Sequence, residues 1–297
     1  PAAGNAAWSI GAYANGTFPQ TGRIDDVAFW KRKLSAAERQ AWRDGTYPFD
    51  GSGGGIPGTG TTYTLSTTTI GGQAAEYLIP TAALSNVLII YHHGMGETQT
   101  AWRSDALKAG LREALLAEGH LLAASNAHGM NWGNQDSIND TIALYNDAAA
   151  RFTIHKVIFF SQSMGGMSGL LTAADGSVPL DGWFGIYPCC NLAWCYAHGF
   201  AYSIKPAYGI AEDGSDYAAK TTGHDPVLLS GSAFSGLPMR FYASYADTVV
   251  AQADNTDAMI ALVEEDAAEY GLVQCTGNHG DPSHFQPSDV IAFIRRC

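Results

Sequence analysis

One serine in this chain stands where nucleophilic chemistry is possible. The β-rich run Lys156–Phe160 leads into Ser161-Gln162-Ser163-Met164-Gly165-Gly166, and Met167–Ala174 continues with helical character. A strand that turns sharply into a helix thrusts a hydroxyl above the edge of a sheet. Small residues must flank that hydroxyl, because the strained backbone there runs close to neighbouring strands. Ser161 stands where the first glycine of a G-x-S-x-G turn usually sits, and it is small enough to keep the geometry. The helix N-terminus beneath Ser163 favours the negative charge that develops when a hydroxyl attacks a carbonyl. A serine placed this way, with a base beside it, performs acyl transfer. The competing reading is a glycine-rich turn whose serine is incidental.

The elements around that turn alternate in kind. From Thr61 onward the pattern predicts strands at Tyr63–Thr69, Ala75–Pro80, Val87–His92, Leu121–Ser125, Lys156–Phe160, Gly182–Tyr187, Met239–Tyr245 and Leu272–Thr276. Helical patterns fall at Thr100–Glu118, Ile138–Phe152, Met167–Ala174, Asn255–Tyr270 and Pro287–Arg296. Strands alternating with helices imply an α/β protein with a mostly parallel sheet and helices on both faces. Between Pro188 and Gly236 an irregular stretch rich in Tyr, Gly and Ser is expected to wall or partly lid a site.

From Thr61 to Cys297 the chain resembles the α/β-hydrolase family, and within it the secreted serine esterases and depolymerases. Ser-Met-Gly-Gly after a hydrophobic strand carries the resemblance, as does Leu88-Ile-Ile-Tyr-His-His93-Gly-Met-Gly96. The resemblance implies an oxyanion hole built from the backbone amides of Met95 and Met164, two fixed donors that stabilise a tetrahedral oxyanion. His92 and His93 then read as hydrogen-bonding residues at a strand end. In the family the acid follows the nucleophile and the histidine comes last. Ala246-Asp247-Thr-Val-Val250 matches the acid loop, so Asp247 is the implied orienting carboxylate. Two histidines are open for the base in Gly277-Asn-His279-Gly-Asp-Pro-Ser-His284-Phe285. His279 lies nearest the strand end and precedes a glycine. His284 is the alternative, in a Ser-His-Phe-x-Pro context like that of cutinase-like polyesterases. Trp132 and Trp194 lie on loops at the C-terminal edge of the sheet, placed to bind substrate by stacking on a sugar or flanking an acyl chain.

Composition narrows the substrate class. The formal net charge is -12, with 16 Lys and Arg against 28 Asp and Glu. Nucleic acid is excluded as a partner, since phosphate neutralisation needs clustered cations. No apolar run approaches the length that spans a bilayer, so no membrane insertion is expected. No His, Cys, Asp or Glu cluster shows ligand spacing, and neither a metal nor another cofactor is expected. Charged residues make up only 15% of the chain, beside 7 Trp and 14 Tyr, which suits neutral, partly apolar or sugar-like material.

The remaining features concern context. Gly51-Ser-Gly-Gly-Gly-Ile-Pro-Gly-Thr-Gly60 reads as a flexible linker. Before it, Gly22–Trp30 alternates as a strand, and Ser35 with Glu38 forms a capping box. Residues 1–50 thus resemble the closing strand and helix of a laminin-G-like (concanavalin-like) domain. The chain begins at Pro1, within that pattern, and is expected to be a piece of a larger modular protein. Five cysteines suit an oxidising compartment. A Cys275–Cys297 bridge would pin the C-terminus, and a second bridge within Cys189, Cys190 and Cys195 would leave one thiol over. Together these point to an extracellular, virion or cell-surface esterase. Its ester would sit on a polysaccharide, glycolipid or polyester, as in a phage tail-associated enzyme. The alternatives are a non-catalytic glycan-binding module on the same fold, or a peptidase or acyltransferase with the same triad.

Overall fold

The computed structural model describes residues 62–297. The laminin-G-like segment and the linker expected over residues 1–60 lie outside the described residues. Eight strands form one sheet: β1 (Tyr63–Ile70), β2 (Gln73–Pro80), β3 (Val87–His92), β4 (Leu121–Ser125), β5 (Lys156–Gln162), β6 (Gly182–Ile186), β7 (Pro238–Ala243) and β8 (Glu269–Gln274). Their spatial order is β1-β2-β4-β3-β5-β6-β7-β8. The β1–β2 and β2–β4 pairs are antiparallel, and every other pair is parallel.

Alternate side chains of the central strands enter opposite cores, as a period of two demands. Leu88, Ile90 and Phe159 join one buried cluster, while Ile89, Tyr91, Ile158 and Phe160 join the other. The helices Gln135–Arg151 and Gly165–Asp175 supply Leu144, Ala148 and Leu170 to the first. The helices Ala109–Ala117 and Pro287–Arg296 supply Leu111, Leu115, Val290 and Phe293 to the second. Each of these helices forms for local reasons as well. Asn134 caps Gln135–Arg151 by accepting from the Ser137 amide at 3.0 Å. Pro287 opens the last helix at a position where its missing N–H costs nothing.

Three expectations need correction. The helix predicted over Thr100–Glu118 is broken into Ala101–Ser104, a single 3₁₀ turn Ala106–Lys108 and Ala109–Ala117. Asp105 adopts an extended backbone and caps the Leu107 amide with its own carboxylate, which restarts the helix there. The helix predicted over Asn255–Tyr270 ends at Val263, and β8 begins at Glu269. The five cysteines are free thiols, so neither disulfide is present. Cys297 lies against Gly182 at the start of β6, whereas Cys275 follows the end of β8. The two therefore sit at opposite ends of the strands, roughly 20 Å apart along strands that rise ~3.3 Å per residue, well beyond disulfide reach. Cys189 and Cys195 share a buried cluster as free thiols.

Among the described residues, no helix is long and apolar enough to cross a membrane. The stretch between β6 and β7 is more ordered than the sequence suggests. It holds the helices Leu192–Cys195, Ala201–Tyr208 and Tyr217–Thr221, stacked above the C-terminal edge of the sheet.

His92, at the end of β3, is fully enclosed between the sheet and the helix Gly165–Asp175. Burial pulls its imidazole down from 6.5 to about 3, and neighbouring His93 adds to the effect. Between those values the unfolded chain binds a proton that the folded chain refuses. Stability is therefore complete above about pH 6.5 and falls as the pH drops toward 3, by about 1.4 kcal/mol per pH unit for such a group. Burial holds His120 and His284 down as well. Denaturant unfolding between pH 7 and 4.5 should therefore show a decline to which all three contribute, and His92→Gln should make it shallower by the share of one proton. An equal slope in the variant would exclude His92 as a source.

Candidate active site

The turn between β5 and the helix Gly165–Asp175 places Ser163 with φ +50°, a left-handed conformation unusual for a residue with a Cβ. Two close approaches enforce it. A Cβ on Gly165 would overlap the His92 carbonyl oxygen, and one on Gly166 would overlap that of Cys189. The Ser163 amide donates to Ile186 O at 3.1 Å, and its carbonyl accepts from Cys189 N at 2.8 Å. Neighbouring strand ends thus grip the turn from both sides. Ser161, the departure from glycine, fits because its hydroxyl accepts from Trp183 Nε1 at 3.0 Å and faces Gly169 across the gap.

Three side chains from three strand ends meet at this turn. His279 Nε2 lies 3.0 Å from Ser163 Oγ, and His279 Nδ1 lies 2.7 Å from Asp247 Oδ2. The other Asp247 oxygen accepts from the amides of Val249 and Val250 at 2.8 and 2.9 Å. Burial raises the Asp247 carboxyl, but the His279 and Val250 hydrogen bonds outweigh it and hold the group below the usual range. The carboxylate is therefore charged at neutral pH and fixes which ring nitrogen of His279 carries the proton. Asn278 ties the two loops together, accepting from Thr248 N at 2.8 Å and from His279 N at 2.7 Å.

The other predicted residues divide. His284 is fully buried, bonded to Asp281 O at 3.1 Å, and touches neither Ser163 nor Asp247. Burial pulls its pKa down. The amides of Met95 and Met164 flank Ser163 and find no acceptor among the described residues. Trp132 lines the cleft over Ser163 as a buried wall, with Nε1 donating to Ser203 Oγ at 3.0 Å and its ring against Phe200. Trp194 does not reach the cleft. Its ring stacks on His198 with centroids 4.2 Å apart.

Several lining residues carried no signal in the sequence. The cleft measures about 310 Å³ and includes Glu97, Asp105, Gln162 and Tyr187 beside Ser163. Glu97 holds the Gly94–Glu97 loop, accepting from Gly94 N at 3.0 Å, from Tyr91 OH at 2.6 Å and from Lys108 Nζ at 2.8 Å. Lys108 is fully buried and also bonds Asp105, so one ammonium joins two carboxylates beneath the loop. Burial pushes the Glu97 carboxyl up, yet Lys108 and the other donors hold it below its ordinary value. The one hint was the polar spacing from Glu97 to Lys108, which reads in isolation as a helix surface.

No protein-family profile matches the chain, and no curated protein matches it. Solved structures do. An esterase of Pyrococcus furiosus aligns with a TM-score of 0.58 at 16% identity, over 81% of this chain and 96% of its own. The fluorophosphonate-binding serine hydrolase F of Staphylococcus aureus aligns with a TM-score of 0.60 at 15% identity, over 78% and 96% of the two chains. A prolyl endopeptidase aligns at 0.59 and 13% identity over 80% of this chain, which spans only 38% of that longer protein. At these identities the likeness is one of fold, and that fold is the α/β-hydrolase sheet.

The close packing under Ser163 yields a direct test. Gly165→Ala forces a Cβ into the His92 carbonyl, where no flexible side chain can yield. Denaturant unfolding should show a loss of about 2–4 kcal/mol, at the upper end for an overpacked site. A change below half a kilocalorie would mean that the turn is not held by this contact.

Proposed function

We propose that the chain is a serine hydrolase that cleaves carboxylic esters through an acyl-enzyme. The observation that carries this reading is the continuous hydrogen-bonded relay Ser163–His279–Asp247, facing a cleft beside two unengaged backbone amides. His279 Nε2 takes the Ser163 proton as Oγ forms its bond to the ester carbonyl carbon. The carbonyl π electrons move onto oxygen, where the amides of Met95 and Met164 stabilise the charge, each worth roughly 3 kcal/mol. As the tetrahedral intermediate collapses, the C–O bond to the alcohol breaks and His279 returns the proton to the departing oxygen. Water then attacks the acyl-enzyme by the same route, and its proton passes through His279 back to Ser163. Asp247 stays ionised throughout and balances the imidazolium.

Our reading extends to the setting. We place the ester on an extracellular or cell-envelope polymer, a polysaccharide, glycolipid or polyester, in the manner of a phage tail-associated enzyme. Support comes from the sparse charge, the aromatic content and the resemblance of residues 1–50 to a laminin-G-like module. A peptidase is the second reading, favoured by the likeness to a prolyl endopeptidase.

Hydrolysis of p-nitrophenyl acetate and butyrate, beside peptide p-nitroanilides, separates these readings. Wild type should cleave the esters, and Ser163→Ala should lose at least a thousandfold in kcat/KM, as expected when a triad nucleophile is removed. His279→Ala should lose activity on the same scale while His284→Ala retains most of it. Equal rates for wild type and Ser163→Ala would remove the hydrolase reading, and preference for the anilides would replace esterase with peptidase.

A further inference from the structure

Tyr187 is held in a strained position beside the cleft. It is the first residue past β6 and holds φ +36°, strained for a side chain of any size. Its amide is pinned to Tyr242 O at 2.8 Å, and only 3% of the residue is exposed. Its hydroxyl has no hydrogen-bond partner among the described residues, yet it is not sealed off: the residue lines the Ser163 cleft and the oxygen keeps access to it. The ring explains part of this placement. It packs on His279 with centroids 4.3 Å apart and meets His284 edge-on at 5.0 Å. A phenylalanine would do that equally well, so the hydroxyl needs another reason.

The cleft supplies one. Glu97, Asp105 and Gln162 line it together with Tyr187, and the apolar side chains of Met95, Trp132, Phe200 and Val249 line it as well. The two carboxylates act on the Tyr187 hydroxyl across the cleft. Burial first, and then those charges, push its pKa up, so it stays protonated. A group seated among them must give protons to carboxylates and also accept one from a phenol or an amide. Hydroxyl groups do both. An ammonium offers donors only, and an anion is repelled by the two carboxylates, which the single Lys108 does not fully offset. The departing oxygen of an ester lies at His279 Nε2, and Tyr187 packs on that imidazole, so this wall flanks the alcohol side.

We infer that Tyr187, with Asp105 and Gln162, forms a subsite for the hydroxyl groups of a carbohydrate that leaves as the alcohol of the ester. The acyl part then lies against Trp132 and Phe200. This inference rests on the ester-hydrolase reading and specifies its substrate as an acylated sugar.

The test compares kcat/KM for a mono-acetylated methyl glycoside and for p-nitrophenyl acetate, whose alcohol has no hydroxyl beyond the ester oxygen. Tyr187→Phe keeps the ring on His279, so any disturbance of the base affects both substrates and cancels in their ratio. The glycoside-to-nitrophenyl ratio should fall about tenfold in Tyr187→Phe, the value of one hydrogen bond. Asp105→Asn, which keeps the shape, should lower it in the same direction. An unchanged ratio in both variants overturns the subsite, whether or not the separate rates fall. So does a wild type that cleaves p-nitrophenyl acetate but not the acetylated glycoside. A wild type inert toward both substrates instead removes the ester-hydrolase reading itself.

Discussion

The left-handed turn at Ser163 is the constraint on which the rest of the site depends. A non-glycine residue in that conformation costs of order 1–3 kcal/mol and persists only where its surroundings over-determine it. Here they do. The turn is clamped between the ends of β3 and β6, with glycines at 165 and 166 where any Cβ would strike a backbone carbonyl. Ile186 and Cys189 hold its amide and carbonyl from the neighbouring strand end. The sheet that supplies these contacts is buried on both faces by two separate cores, so the strain is stored in the most rigid part of the molecule.

That rigidity is what makes the chemistry economical. Asp247 and His279 come from loops after β7 and β8, and Asn278 bridges those loops, so the relay is assembled before any ligand arrives. On the other side, the Gly94–Glu97 loop is held by a carboxylate neutralised by the buried Lys108. Preorganised donors and acceptors need not reorient when charge develops, and this is the main source of their catalytic worth. Polar and apolar groups share the cleft beside this relay.

Much of this was legible in the sequence, for physical reasons. Strands β3 and β4 match their predicted bounds because a strand buried on both faces needs a continuous apolar run, and such runs are conspicuous. The serine turn was visible because strain and close packing admit few residue types. The choice between His279 and His284 was not, since both follow the last strand within a few residues and only the three-dimensional path of the loop separates them. Tyr187, Glu97 and Lys108 were missed for a related reason. Their partners lie on other elements, and a lysine inside a helix-like pattern looks solvent-exposed until its enclosure is seen. The disulfide expectation failed because sequence proximity to the C-terminus ignored that a helix antiparallel to its strand carries Cys297 back to the opposite end of the strands. Trp194 stacks on its own helical neighbour His198 and is not among the residues lining the cleft, a local contact that a loop-like sequence does not reveal.

The central claim is that Ser163 is a hydroxyl made nucleophilic by its relay, and a fluorophosphonate probe reports on this without any assumption about substrate. Incubation at neutral pH followed by intact-mass and peptide mass spectrometry should show one phosphonyl adduct per chain, on Ser163. It should be abolished by Ser163→Ala and strongly slowed by Asp247→Asn. A chain that stays unmodified while folded, or an adduct that forms on another residue, would contradict the account.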